Sequence, residues 1–166
     1  MITKQELKEF YEWGLNTDFP LKISPKFTGR GRDFETYDVT GYWLKMTRKM
    51  VNIRKGFMPD NIYKIHENHE VLYSGYAIMA PGCYIKKHKD PDVYMYKYKR
   101  IQLPLDLPDP EDCYMTWEET QKIYWKEGEP QVWKVMDHIH EGINKSDKPA
   151  KFLFMDVKME TEVEVD

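Results

Sequence analysis

The chain has 166 residues, the length of one domain that buries a sizeable core without disulfide or metal cross-links. Apolar residues make up 41% and aromatic residues 14%, which is typical of a globular protein and excludes a disordered one. The 25 basic and 28 acidic residues leave a net charge of −3, so bulk charge gives no reason to expect nucleic acid or an anionic membrane as the main partner.

Cysteine usage and the N-terminus both favour a reducing compartment. Cys83 and Cys113 are the only cysteines, and their setting resembles neither a disulfide framework nor a zinc ribbon. The first residues contain no apolar core of signal-peptide length. No stretch approaches the roughly 18 uncharged apolar residues of a membrane span. We therefore expect a soluble, cytoplasmic protein without a membrane partner.

The first segment has the pattern of a helix. Thr3 and Glu6 form a capping-box pair in front of apolar residues at helical spacing. Proline and glycine residues then predict mostly loop over residues 16–35. A second amphipathic helix is predicted over residues 42–55.

Two motifs in the first 70 residues carry weaker signals. The Gly-Arg-Gly-Arg run at residues 29–32 lacks the strand before it and the helix after it that a phosphate-binding loop needs, so we interpret it as a basic turn. His66 and His69 stand at one-turn helical spacing, but no further zinc ligands stand out nearby. We interpret that segment as polar and solvated.

From about residue 71 the pattern changes to short strands separated by turn residues. Strands are predicted at residues 71–80, 84–90, 99–105, 132–136 and 152–157. Their proline and glycine punctuation favours a sandwich or barrel over parallel βαβ units. Thr116 and Glu119 predict the cap of a short helical insertion, although residues 117–125 are ambiguous between states. The acidic tail at residues 160–166 is expected to fray.

A possible metal site is encoded in the histidines. His88 and Asp90 are separated by one residue, so both side chains leave the same face of an extended strand. With one distant histidine they make the two-histidine, one-carboxylate set that holds Fe(II) and leaves three coordination positions open. His138 and His140 share a strand face, and both are candidates for the distant ligand.

Four blocks of the sequence make this hypothesis more specific. They are PGCYIKKHKD at residues 81–90, RIQLPL at 100–105, MDHIHEGIN at 136–144 and FLFMDV at 152–157. In this order and approximate spacing they resemble four segments of the aspartyl/asparaginyl β-hydroxylase family. These are Pro-Gly-x-x-Ile-x-x-His, Arg-x-His/Gln-Leu, Phe-Asp-x-x-x-x-His-Glu-x-x-Asn and a closing apolar strand that ends in Asp-Val. The resemblance covers residues 71–158.

The resemblance implies a mainly β fold, the double-stranded β-helix (jelly-roll, cupin-like) with flanking N-terminal helices. We expect a single domain, 1–166, with helical and loop support at 1–70, the double-stranded β-helix core at 71–158 and the acidic tail at 159–166. The implied activity is that of an Fe(II)/2-oxoglutarate-dependent dioxygenase. It would use dioxygen to hydroxylate an amino-acid side chain, in a protein or peptide or as a free amino acid.

The resemblance also assigns residues to roles. His88, Asp90 and His140 become the catalytic metal ligands, because the HEGIN match favours His140 over His138 as the distal histidine. Asp90 completes the triad of the wider oxygenase superfamily at a position where members of this family often have glycine.

The cosubstrate contacts are where the chain departs from the family. The family's arginine for the far carboxylate of the oxo acid stands ten residues after the distal histidine, where this chain has Ala150. We predict Arg100 and Gln102 as the first cofactor-binding candidates. Lys151 is the second, because it reaches the pocket only if its strand is bulged or shifted. The departure keeps open the alternative of a cupin-like metalloenzyme, or a binding module, that does not use 2-oxoglutarate.

Overall fold

The computed structural model describes residues 1–19, 58–79, 81–82, 84–92 and 96–165, and the strand backbones at 22–23 and 34–38. Within these residues the helices are α1 (Lys4–Leu15) and α2 (Asp60–Asn68). The strands are β1 (Lys22–Ile23), β2 (Phe34–Asp38), β3 (Tyr73–Met79), β4 (Tyr84–His88), β5 (Tyr98–Asp106), β6 (Cys113–Trp117), β7 (Gln121–Tyr124), β8 (Gln131–Trp133), β9 (His140–Asn144) and β10 (Ala150–Lys158). The helix predicted at 42–55 and the basic turn predicted at 29–32 lie outside the described residues.

Helix α1 begins as the sequence predicts. The Thr3 hydroxyl accepts a hydrogen bond from the Glu6 backbone N–H at 3.1 Å, and the Glu6 carboxylate accepts one from the Thr3 N–H at 2.8 Å. This reciprocal capping box satisfies two backbone donors that a helix start leaves unpaired. Near the other end, a Cβ at Gly14 would lie 2.8 Å from Leu153 of β10, so glycine lets the helix pack closely on the sheet.

The strands form two antiparallel sheets. The larger sheet has the order β1-β2-β3-β10-β5-β8, and the smaller sheet has the order β4-β9-β6-β7. The chain crosses repeatedly between the sheets, because β3 and β5 lie in the larger sheet while β4 lies in the smaller one. This is the jelly-roll arrangement of a double-stranded β-helix, and the predicted fold class is confirmed.

The central strands β3, β5 and β10 of the larger sheet bury most of their side chains on both faces. Its outer face packs against α1 and α2 through residues such as Ile101, Leu103 and Leu153. Its inner face meets the smaller sheet, where Phe152 of β10 packs with Met115 of β6. Strands β5 and β10 carry the candidate site residues of this sheet. Their side chains point alternately toward the helices and into the space between the sheets.

The predicted helical insertion near Thr116 is wrong. Residues 113–124 instead form the β6–β7 hairpin, in which Trp117 pairs with Gln121. Glu118 and Glu119 adopt left-handed backbone angles, with φ of 51° and 64°, which allow the chain to reverse in a tight turn. Pairing of β6 with both β7 and β9 in the smaller sheet overrides the local capping signal.

The acidic tail is paired with the N-terminus and does not fray over its described residues. The Ile2 N–H donates to the Glu162 carbonyl at 2.8 Å, and the Glu164 N–H donates to the Ile2 carbonyl at 2.8 Å. Ile2 is fully buried, so this bridge covers one edge of the helix-side core. Among the described helices, none has the length and apolar character needed to cross a membrane.

Candidate metal centre

Two neighbouring strands of the smaller sheet bring the candidate ligands together. His88 at the end of β4 and His140 at the start of β9 are directly opposite each other, with ring centroids 4.4 Å apart. Asp90 follows β4, and its backbone N–H donates to the Val135 carbonyl at 2.9 Å, which fixes the turn of the chain. Residues 50 apart in sequence thereby become neighbours.

The three side chains converge on one point. One carboxylate oxygen of Asp90, Oδ1, lies 3.1 Å from His88 Nε2 and 3.1 Å from His140 Nε2. One possible ligand atom from each residue lies within 4.8 Å of the others. Two imidazole nitrogens and a carboxylate oxygen are the donor set of a non-haem iron site.

Hydrogen bonding also fixes the orientation of the His140 ring. Its Nδ1 lies 2.9 Å from the backbone carbonyl oxygen of His138, so Nδ1–H donates to that carbonyl. The lone pair of Nε2 then faces the Asp90 carboxylate. Because two acceptors repel at 3.1 Å, this contact is favourable only when a proton or a metal ion lies between them. The residues present therefore fit a bound cation.

Arg100 sets the electrostatics of Asp90 from the larger sheet. Its Nη1 lies 3.3 Å from Asp90 Oδ2, and its Nε lies 2.8 Å from Asp156 Oδ1. Burial by itself would raise the pKa of Asp90, but the Arg100 guanidinium, followed by the close contacts with the His140 and His88 rings, holds that pKa well below its ordinary value. Asp90 is therefore ionised at neutral pH.

An aromatic wall covers one side of the site. The Trp117 ring stacks on His140 with centroids 5.7 Å apart, and it also contacts the rings of His138 at 5.0 Å and Trp133 at 5.1 Å. His138 itself points elsewhere, since its Nδ1 lies 2.6 Å from a Glu118 carboxylate oxygen. His138 thus contributes its backbone carbonyl to the site and not its side chain.

Comparison with known proteins decides the family. A model of the aspartyl/asparaginyl beta-hydroxylase family matches residues 58–160, which is more than half of the chain and includes all three candidate ligands. The chain belongs to the aspartyl/asparaginyl β-hydroxylase family. The sequence resemblance is thereby confirmed, and the match extends it N-terminally into α2.

Solved structures show the same fold for this β-hydroxylase family member at low sequence identity. A 2OG-Fe(II) oxygenase family oxidoreductase from Burkholderia pseudomallei is 9% identical with a TM-score of 0.57, covering 90% of this chain and 78% of that chain. A predicted oxalate decarboxylase from Thermotoga maritima is 11% identical with a TM-score of 0.53, covering 86% and 95%. The Cnp3 cupin domain of Schizosaccharomyces pombe is 6% identical with a TM-score of 0.50, covering 85% and 69%. No curated protein matches the sequence significantly.

In this β-hydroxylase family member the residues predicted to bind the cosubstrate lie on different faces of the larger sheet. Arg100 and Gln102 alternate on the inner face of β5, beside the triad, and Gln102 Oε1 accepts a hydrogen bond from Trp125 Nε1 at 3.0 Å. Lys151 lies opposite Ile78 of β3, on the face that packs toward the helices. The pairing of β10 with β5 has the predicted shift in register at Lys151, but the pairing of β10 with β3 is continuous there. Arg100 and Gln102, and not Lys151, therefore face the triad.

Two contributors to the site were missed in the sequence. Asp156, which binds Arg100, is the single charged residue in the apolar run at 152–157, and an isolated carboxylate in such a run signals a buried partner. The second contributor is Trp117, whose ring stacks on His140. No sequence signal distinguishes a tryptophan that stacks on a ligand from one that fills the core.

Proposed function

We propose that the protein is an Fe(II)/2-oxoglutarate-dependent dioxygenase that hydroxylates an amino-acid side chain, in a protein or peptide or as a free amino acid. The observation that carries the proposal is the convergence of His88, Asp90 and His140, with the His140 tautomer held by a backbone carbonyl. The family membership supports the same chemistry. The donor set leaves room for a chelating oxo acid and dioxygen.

Each residue of the site has a definite task in this reaction. Iron held by the triad supplies the coupled chemistry, in which substrate C–H, dioxygen and 2-oxoglutarate become C–OH, succinate and carbon dioxide. Arg100 keeps Asp90 ionised and oriented. Trp117 covers the His140 ring and excludes water from that side. Arg100 and Gln102 are the inner-face polar groups nearest to a bound oxo acid.

A second candidate is a cupin-like metalloenzyme, or a binding module, that holds a metal without 2-oxoglutarate. Ala150 is fully buried among apolar side chains that include Met79, Trp125 and Phe152, so the family's carboxylate-binding arginine has no replacement at that position. Arg100 is already ion-paired with two carboxylates. Both observations weaken the case for a dianionic cosubstrate and favour this alternative.

The test is an anaerobic titration of the purified apoprotein with Fe(II) and then 2-oxoglutarate, observed as the visible charge-transfer band of a chelated iron–oxo-acid complex. We expect the band in the wild type and in His138→Ala, and its loss in His88→Ala and His140→Ala. Succinate formation under air with candidate amino acids completes the assay. Iron binding without a band at saturating 2-oxoglutarate rejects the dioxygenase and leaves the metal-only alternative.

A further inference from the structure

The carboxylate of the triad lies outside the strands that hold the two histidines. Strand β4 ends at His88, and Asp90 follows two residues later, directly before Pro91. A residue in front of proline is restricted to extended backbone, and proline itself has a fixed φ and no N–H to donate. These restrictions stiffen the segment but do not attach it to the rest of the molecule. The position of Asp90 therefore depends on contacts from other parts of the chain.

Strand β5 of the larger sheet holds this segment at two points. Tyr98 and Arg100 are two residues apart, so their side chains leave the same face of β5. The Tyr98 hydroxyl donates to the Pro91 carbonyl oxygen at 3.0 Å. Arg100 Nη1 lies 3.3 Å from Asp90 Oδ2. One side chain thus holds the backbone next to Asp90, and the other holds its carboxylate.

The backbone of Asp90 has a further anchor that also involves Tyr98. The Asp90 N–H donates to the Val135 carbonyl at 2.9 Å. The Val135 side chain is buried in one cluster with Leu72 and Tyr98, and Tyr98 is only 1% exposed. Because buried side chains pack closely, the Tyr98 ring has little room to move. Its hydroxyl is therefore a fixed point for the segment that carries Asp90.

These anchors determine where the Asp90 carboxylate points. With Oδ2 beside Arg100, Oδ1 is directed at both histidines and lies 3.1 Å from Nε2 of His88 and of His140. A ligand that is held in place before the metal arrives loses less conformational freedom when the metal binds. Metal affinity therefore depends on the groups that orient the ligands as well as on the ligands themselves.

We infer that Tyr98 is a positioning residue of the metal centre, whose hydroxyl holds the Pro91 carbonyl and thereby fixes Asp90 as the third ligand. Tyr98 acts through Asp90 and not by its own contact with the metal. The inference deepens the proposed function and rests on one part of it, the binding of a divalent cation by the triad. It does not require that the protein use 2-oxoglutarate.

The test compares Tyr98→Phe with the matched control Tyr114→Phe. Each change removes the hydroxyl of a buried tyrosine and keeps the ring. Tyr114 lies on β6 three residues before Trp117, so its side chain points to the other face of the smaller sheet, away from His140. The probe is Co(II), whose visible absorption bands report both binding and coordination. We expect Tyr98→Phe to bind Co(II) about tenfold more weakly than the wild type, and Tyr114→Phe to bind it equally well.

A second measurement uses the metal-free proteins. Amide hydrogen exchange observed by NMR reports the opening of individual backbone hydrogen bonds. We expect the Asp90 N–H to exchange about five- to tenfold faster in Tyr98→Phe than in the wild type, and the amides of β9 to keep their rates. A general loss of stability would instead raise the exchange rates in β9 as well.

Each outcome decides for or against the positioning role. A Co(II) affinity within about twofold of the wild type in Tyr98→Phe, or an equal loss in Tyr114→Phe, overturns the inference. Weaker Co(II) binding without faster exchange at Asp90 also overturns it, because the hydroxyl would then act by another route. Absence of Co(II) binding in the wild type rejects the metal centre and the inference with it. The expected Co(II) and exchange results without an iron–oxo-acid band reject the dioxygenase alone.

Discussion

The Arg100 guanidinium donates two hydrogen bonds to the Asp156 carboxylate, from Nε to Oδ1 at 2.8 Å and from Nη2 to Oδ2 at 3.0 Å. The two residues are opposite each other on β5 and β10, and Asp156 is fully buried. The Arg100 guanidinium also lies 4.4 Å from the Phe154 ring centroid. A two-point ion pair with a planar ring beneath it holds Arg100 in one orientation, toward Asp90.

Removal of this cation should destabilise the fold. Arg100→Met leaves the buried carboxylates of Asp90 and Asp156 without their counter-charge, and breaking a buried pair in this way costs about 3 kcal/mol. Arg100→Met/Asp156→Leu removes the uncompensated charge at β10 and should recover part of that loss. Urea unfolding of the metal-free proteins measures both values, with Lys99→Met as the control on the opposite face of β5. A loss below about 1 kcal/mol in Arg100→Met would show that Arg100 is dispensable for stability.

Metal binding should depend on the three triad side chains and not on His138. We expect His88→Ala and His140→Ala to retain no stoichiometric iron after anaerobic reconstitution and desalting, because each loses one of three protein ligands. His138→Ala keeps the backbone carbonyl that orients His140, so its iron content should equal that of the wild type. Elemental analysis of the desalted proteins is the measurement. Loss of iron in His138→Ala with retention in His140→Ala would reverse the assignment.

His66 should make stability depend on pH. Its Nδ1–H donates to the Ile62 carbonyl at 2.8 Å, and its Nε2 accepts from the Ser74 hydroxyl at 2.7 Å. Burial lowers the pKa of His66 from 6.5 to about 4. Because the unfolded chain then binds a proton at higher pH than the folded one, the stability contributed by neutral His66 is complete above pH 6.5 and is lost as the pH falls toward 4.

The size of this effect is measurable at mild pH. Between pH 7.5 and pH 5 the His66 contribution to the free energy of unfolding should fall by about 2 kcal/mol. Urea unfolding at several pH values in this window, for the wild type and for His66→Gln, isolates the contribution as the difference between the two slopes. Parallel slopes would mean that His66 is not held neutral by the fold.

Gly75 should tolerate no side chain. A Cβ at this position would collide with Cζ of the Phe154 ring and would lie 2.7 Å from its Cε1. Gly75→Ala must therefore displace a buried ring, and overpacking of this kind costs about 1–3 kcal/mol. Thermal or urea unfolding of Gly75→Ala, Phe154→Leu and the double variant forms a cycle in which the two changes should compensate each other. Additive losses would contradict the contact.

The sequence by itself determined the features that depend on short-range rules. The capping box of α1 needs Thr3 and Glu6 at the right spacing, and both hydrogen bonds are present. His88 and Asp90 are two residues apart, so strand alternation predicts that their side chains share one face. The two side chains are in contact in the structure. The His-Glu-x-x-Asn segment pointed to His140, whose side chain joins them. That these three residues hold iron stays a prediction.

Only the tertiary structure decided which faces meet. The segment around His66 was interpreted as solvated, whereas α2 packs on the larger sheet and buries that ring against Ser74. The partner of Arg100 is 56 residues away, and the strand register alone makes Asp156 its neighbour. A periodic pattern shows that a strand has two faces, but pairing between distant strands determines what each face contacts.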